Sequence, residues 1–314
     1  MLPPPDYMPA LITPFTRGGE IDVRAHTTNL RLLAGAGIDG FVIGGSNGEG
    51  PYLEPGERFR LVKAGRRRKS HFMVGIAAES TRVALNQLEE AIEGGADSIL
   101  VMTPTTLTRG RDEAVLRFYK TIADTSTAPV FIYSVPSVTR YSLPLELVWR
   151  LSRHDNIVGM KDSSGDVVRL QSIIDASPPD FFVYSGSSRA LTAAMAIGCY
   201  GAITGSGNYI PDLVLQTLAA AKIDTVKARK LQKRLSGISA DVEAHGVPGV
   251  KAAAKAAGLD PGHPREPLTR LSRGAETSIA KLIGSRVGPP RSEHRPVPFT
   301  APNSKESQRV QVSQ

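Results

Sequence analysis

A single cysteine, Cys199, leaves the chain without an internal disulfide. No CxxC pair and no Cys/His cluster with metal-ligand spacing accompanies it, so neither a zinc site nor a disulfide-stapled fold is expected. Long apolar runs are missing as well, since none reaches the roughly 18 residues that a membrane helix needs. The opening MLPPPDYMPALITPF has no basic stretch followed by an apolar run of signal-peptide length. These absences point to a cytoplasmic protein with no membrane partner, no metal and no other cofactor.

What is present is an ordinary globular composition. Of 314 residues, 41% are hydrophobic and 22% charged, enough apolar material for a large core. The formal charge of +8 raises the question of nucleic acid, whose phosphates attract clustered cations. One cluster, Arg66-Arg67-Arg68-Lys69, ends a helical segment, where positive charge opposes the negative end of the dipole. No nucleic-acid module accompanies it, so a solvated basic face is expected rather than a nucleic-acid partner.

Short β-branched apolar runs alternate with longer segments of helical period. The runs are 8–12, 40–44, 72–76, 98–102, 130–133, 157–161, 181–185 and 201–204, and helical segments near 22–36, 54–69, 81–94, 111–126, 144–153, 166–176, 187–198 and 211–222 separate them. Glycine recurs at the helix-to-strand returns, as in Gly35-Ala36-Gly37 and Gly94-Gly95-Ala96, where a left-handed cap is needed. Eight such units in a row predict a (β/α)8 TIM barrel over residues 1–222, with an open doubly wound sheet as the alternative. After 222 the strand signal stops. Segments near 224–245, 248–257 and 268–284 predict an appended C-terminal helical region over 223–285, packed on the barrel. The Pro/Ser/Arg/Gln-rich stretch 286–314 is expected to be a disordered tail, with peptide docking as the alternative.

A parallel barrel carries its chemistry at the C-terminal ends of its strands. The second strand runs into Gly44-Gly45-Ser46-Asn47-Gly48-Glu49-Gly50, where glycines let backbone N–H groups approach a carboxylate and Ser46 can donate or accept. The fifth ends in Tyr133, either a proton-transferring phenol at the barrel mouth or a packed tyrosine. The sixth reads Asn156-Ile157-Val158-Gly159-Met160-Lys161-Asp162. A lysine directly after such a strand loses part of its water, which frees the amine to attack a carbonyl. An ion pair with Asp162 or Glu49 is the structural alternative for Lys161. Lys63, Lys120 and Lys230 lie on helical segments with polar surroundings, where a solvated side chain is expected.

Taken together, these stretches resemble the dihydrodipicolinate synthase/N-acetylneuraminate lyase family of class I aldolases. The resemblance spans about residues 8–284 and rests on Leu11-Ile12-Thr13-Pro14-Phe15, GSNGE at 45–49, Tyr133 with Val135-Pro136, GMKDSSGD at 159–166, and Gly201-Ala202-Ile203-Thr204 followed by Asn208 and Pro211. GSNGE, YSVP and NIVGMKDSSGDV look most like the 4-hydroxy-2-oxoglutarate aldolase branch. The resemblance implies Lys161 as imine lysine, Tyr133 as proton shuttle, Ser46 and Asn47 as ligands of a pyruvyl carboxylate, and Ile203 lining the site. It implies a small 2-oxo acid as substrate and a homodimer or homotetramer as the assembly. Within the same family, a deoxy sugar acid dehydratase or a catalytically silent ligand-binding homologue is the alternative.

Three positions depart from the family's pattern. Dihydrodipicolinate synthases carry an arginine five residues after the tyrosine; here that residue is Val138, which argues against an authentic dihydrodipicolinate synthase. Arg140, two residues further on, is a candidate distal carboxylate contact, with a surface arginine as the alternative. The usual Pro-Tyr-Tyr of the fourth-strand loop reads Pro104-Thr105-Thr106, which removes the trans-subunit tyrosine. Gly186, in the Ser185-Gly186-Ser187-Ser188 exit of the seventh strand, is a further candidate substrate contact.

Overall fold

The computed structural model describes residues 3–66 and 70–286. Eight strands, β1 (Tyr7–Pro9), β2 (Gly40–Ile43), β3 (His71–Ile76), β4 (Ser98–Met102), β5 (Val130–Ser134), β6 (Ile157–Asp162), β7 (Phe182–Ser185) and β8 (Gly201–Thr204), form one sheet. All pairs are parallel, in the order β1-β8-β7-β6-β5-β4-β3-β2. A bridge between Ala10 and Val42, with the Leu11 N–H donating to the Val42 carbonyl at 2.9 Å, brings β1 against β2. The expected barrel is therefore the fold, and the open-sheet alternative is excluded.

Helices α1 (Val23–Gly35), α2 (Glu57–Gly65), α3 (Thr81–Gly94), α4 (Asp112–Thr125), α5 (Pro136–Thr139), α6 (Leu145–Leu151), α7 (Val167–Ala176), α8 (Leu191–Ala196) and α9 (Pro211–Ile223) follow the strands. Their starts obey local chemistry: Asp22, Ser80 and Asp166 each accept a hydrogen bond from a first-turn amide. On α4, Val115, Leu116, Phe118, Tyr119, Ile122 and Ala123 recur at helical spacing and all are buried. Several bounds differ from the sequence reading: the strand expected at 8–12 is Tyr7–Pro9, and the helices expected at 187–198 and 268–284 are Leu191–Ala196 and Arg273–Arg286. Helix α2 begins at Glu57 rather than 54, because Gly56 before it is left-handed. The single turn α5 has too few residues to show a period, although Pro136 supplies a helix-ready φ at its start.

Beyond α9 come α10 (Thr225–Glu243), α11 (Gly246–Ala256) and α12 (Arg273–Arg286). Leu235, Ile238 and Val242 of α10 and Val250, Ala253 and Ala254 of α11 belong to the same apolar cluster as the barrel's outer layer. The basic run is described only at Arg66, which caps α2; residues 67–69 and the tail segment beyond 286 lie outside the described residues.

The core has two layers. Strand residues facing outward pack under the helices, while Met8, Ala10, Val42, Met73, Leu100, Phe131, Tyr133, Tyr184 and Ile203 fill the barrel interior. The register between β5 and β6 shifts at Val130/Phe131, so that Phe131 faces Gly159 and Tyr133 faces Lys161. That bulge places Lys161 in the interior stack. At the N-terminal end, the phenols of Tyr184 and Tyr200 donate to the carbonyls of Pro5 (2.8 Å) and Pro4 (2.6 Å), strapping the proline segment beneath the barrel. A cavity of about 530 Å³ opens beside that strap, between Asp39, His71, Asp97 and Phe182, and none of the candidate site residues lines it.

Candidate active site

Lys161 is 3% exposed at the end of β6. Its Nζ lies 4.3 Å from the ring centroid of Tyr133, the residue beside it on β5. The Tyr133 hydroxyl in turn lies 3.1 Å from the Ser46 Oγ. Lysine, phenol and serine, brought together from three strand exits, thus form a continuous group at the C-terminal end of the barrel.

The two carboxylates considered as partners for Lys161 are engaged elsewhere. Asp162 is fully buried; it accepts from the Arg169 Nε at 3.0 Å and from the Ser164 N–H at 2.8 Å. Glu49 pairs with Lys251 at 2.5 Å. Among the described residues no carboxylate pairs with Lys161, and burying an ammonium without one is costly. Lys63, Lys120 and Lys230 are exposed, as their polar surroundings suggested. Lys251 is the other buried lysine among the described residues, but its Nζ is held by Glu49 and donates to the His263 carbonyl at 2.5 Å.

The loop between β2 and α2 is wound too tightly for larger residues. A Cβ on Gly50 would lie 1.9 Å from the Gly44 carbonyl oxygen. Buried Arg58 supports this turn from below, its Nε donating to the Gly75 carbonyl at 2.9 Å and its Nη2 to the Gly50 carbonyl at 3.2 Å. Burial brings that guanidinium down to about 10, against the opposing attraction of Glu90. Thr13, from the LITPF segment, donates to the Gly48 carbonyl at 2.7 Å. Ser46 and Asn47, by contrast, are only half-buried, and the Asn47 side-chain amide lies against Gly205.

The other expected contacts are dispersed around this group. Ile203 is fully buried in the interior layer. Gly186 follows β7, and a Cβ there would fall 1.9 Å from the Ser163 Oγ, so only glycine lets the β6 and β7 exits approach. Arg140 is exposed at the C-cap of α5 with a left-handed backbone (φ 53), and no hydrogen bond or ion pair joins it to the lysine, the tyrosine or Ser46. Thr105 and Thr106 donate their backbone N–H groups to the Glu79 Oε2 at 3.0 and 2.8 Å. Sequence reasoning missed the tethers of the glycine loop, Thr13, Arg58, Lys251 and Arg265. Only Glu49, already suspected of an ion pair, hinted at them. No cluster of His, Cys, Asp and Glu able to hold a metal occurs among the described residues, and no described helix is long and apolar enough to cross a membrane.

Fold and site define a class: a parallel (β/α)8 barrel with a buried lysine, a tyrosine and a serine grouped at the C-terminal ends of its strands. The chain belongs to the dihydrodipicolinate synthetase family, whose model matches residues 4–285. A 4-hydroxy-tetrahydrodipicolinate synthase of Methanosarcina mazei is 31% identical over 281 residues, 88% of this chain and 96% of the relative. Among solved structures, dihydrodipicolinate synthase DapA-2 of Bacillus anthracis superposes with a TM-score of 0.86 at 28% identity, covering 91% of this chain and 99% of that one. YagE of Escherichia coli K12, a family member solved in complex with pyruvate, gives a TM-score of 0.84 at 27% identity, covering 89% and 97%.

Proposed function

We propose that the protein is a class I aldolase that cleaves or forms a 4-hydroxy-2-oxo acid, with pyruvate as product or donor. The observation that carries this reading is the buried Lys161, without a carboxylate partner among the described residues and lying over the ring of Tyr133, which is hydrogen-bonded to Ser46. In this reading the Lys161 amine adds to the C2 carbonyl of the substrate and water leaves, giving an iminium. The iminium accepts the electron pair of the breaking C3–C4 bond, so that an enamine forms rather than a bare carbanion. Tyr133 takes the C4 hydroxyl proton, relayed by Ser46, and the aldehyde departs. Protonation at C3 and hydrolysis then release pyruvate and restore the amine. Ser46 and Asn47 hold the substrate carboxylate beside Lys161 and Ile203 walls the site, fixing the orientation on which the rate depends.

Val138 bears on the partner substrate. It is 61% exposed on α5 and offers no charge to a second carboxylate where dihydrodipicolinate synthases place an arginine. This argues for a different acceptor from that of the synthases, in keeping with the aldolase-like GSNGE and YSVP motifs, with pyruvate or glyoxylate as the product or donor. In this reading Arg140 meets the distal carboxylate and Gly186 is a further substrate contact. Incubation with pyruvate and borohydride should add the mass of pyruvic acid less one oxygen at Lys161, and an unmodified Lys161 ends this reading. A panel of 4-hydroxy-2-oxo acids and deoxy sugar acids separates cleavage from dehydration, because only dehydration keeps the substrate's carbon count.

A further inference from the structure

Glu49 has two features that a loop glutamate seldom combines. Its backbone is left-handed (φ 55), a conformation that costs a non-glycine residue energy, and its side chain is 1% exposed. It is also coupled directly to Ser46, for its N–H donates to the Ser46 carbonyl at 3.1 Å. The carboxylate turns away from Lys161 toward the C-terminal helical region. There Oε1 meets the Lys251 Nζ of α11 at 2.5 Å, and Oε2 accepts the Arg265 backbone N–H at 2.7 Å.

Both cationic residues are themselves fixed. The Lys251 Nζ lies 5.0 Å and the Arg265 guanidinium carbon 4.2 Å from the centroid of the buried Phe15 ring. Arg265 forms a two-pronged pair with Glu57 at 2.6 and 2.7 Å and donates to the Tyr52 carbonyl at 2.6 Å. The Phe15 carbonyl accepts the His263 N–H at 2.7 Å, and Thr13, two residues before Phe15, holds the Gly48 carbonyl. A closed circuit therefore runs from the glycine loop through Glu49 to Lys251 and Arg265, across Phe15, and back to the loop through Thr13. Burying such a pair is a poor route to stability, since apolar side chains of similar volume do as well or better. What the pair supplies is orientation, because a buried carboxylate with one oxygen against a fixed ammonium and the other on a fixed backbone N–H has one position.

We infer that Lys251 and Arg265 are positioning residues: acting through Glu49, they hold Ser46 and Asn47 where a 2-oxo acid carboxylate binds. The C-terminal helical region is thereby part of the substrate-binding machinery. This inference rests on the reading of the Ser46–Asn47 loop given under Proposed function.

The test is borohydride trapping of pyruvate at Lys161, titrated with pyruvate, in the full-length parent and in Lys251→Met, Lys251→Arg and Glu49→Gln. Each is assayed well below its own melting temperature. Lys251→Met and Glu49→Gln should raise the half-saturating pyruvate concentration by about tenfold or more, and Lys251→Arg should restore most of it. The limiting trapping rate at saturation should stay within about twofold, because Lys161 and Tyr133 are untouched. A merely structural pair lowers the melting temperature and leaves half-saturation alone; that result overturns the inference. If Lys251→Met does not fold, Glu49→Gln and Lys251→Arg carry the comparison. A parent that forms no adduct overturns the aldolase reading and this inference with it, whereas a trapped parent with unshifted variants overturns the positioning role alone.

Discussion

At the scale of single residues, two buried lysines have opposite fates. Lys251 has a carboxylate at 2.5 Å, and burial still pulls its ammonium below the ordinary lysine value against that attraction. Lys161 has an aromatic face and a neighbouring phenol instead. Lys161→Met is expected to abolish the borohydride adduct and to lower turnover more than about 10³-fold. Tyr133→Phe keeps the ring against the lysine and loses only the proton path, so the adduct should still form while turnover falls about 10²–10⁴-fold. Retained turnover in Tyr133→Phe would assign the proton transfer elsewhere. Far from the site, His26 on α1 is buried beside the Leu61 carbonyl. Burial lowers it from 6.5 to about 4, partly offset by the Leu61 carbonyl. The folded state therefore binds this proton less readily than the unfolded chain. Stability falls as pH drops below about 6.5 and stops falling from this cause below about 4, a loss of up to about 3 kcal/mol. His26→Leu should flatten that part of the melting temperature against pH profile, and an unchanged slope between pH 6.5 and 4 would remove His26 as its source.

At the scale of elements, the strands were legible because a parallel sheet covered on both faces needs unbroken apolar runs, and SILVM and GAIT are such runs. Lys161 stood out because it interrupts one. The partner of its neighbour did not stand out. Asp162 was an open candidate for the lysine, yet it is taken by Arg169 on the first turn of α7, seven residues on. No helical or strand spacing links those two positions; the β6–α7 turn does. The Glu49 tether was still less legible, since the Arg265 N–H that it binds is 216 residues away. Such contacts follow from barrel closure, which a local pattern does not encode. The turn gives its own prediction. Arg169 also donates to the Leu143 carbonyl at 2.7 Å, so it ties β6, α7 and the segment before α6. Arg169→Met would strand a fully buried carboxylate and should cost about 3–5 kcal/mol in chemical denaturation. The double variant Arg169→Met/Asp162→Asn should recover part of that loss. A cost below about 1 kcal/mol for the single change would mean that water satisfies Asp162.

At the scale of the whole molecule, the question is what covers the apolar side chains around the barrel mouth. Leu107 is 83% exposed in the loop after β4, and Val138 is 61% exposed on α5 after β5. The two segments are tied together by the Arg109 Nη2 donating to the Thr139 carbonyl at 3.0 Å, so the aliphatic groups belong to one ordered rim. Self-association through this rim would remove both from water, worth about 1.5–3 kcal/mol for each side chain fully buried. It would also put a second copy beside Thr106, the residue next to Leu107. A competing surface exists at the turn between α9 and α10, where Ile223 is 87% and Val226 67% exposed. That patch comes from a single corner of the chain, whereas the rim joins the segments after β4 and β5. The rim is therefore the expected interface. Light scattering should find the parent as a homo-oligomer, Leu107→Asp should shift it toward smaller species at micromolar concentration, and Ile223→Asp should leave it unchanged. The reverse pattern would move the interface to the α9–α10 corner, and a monomeric parent would leave the mouth to be completed by one chain alone.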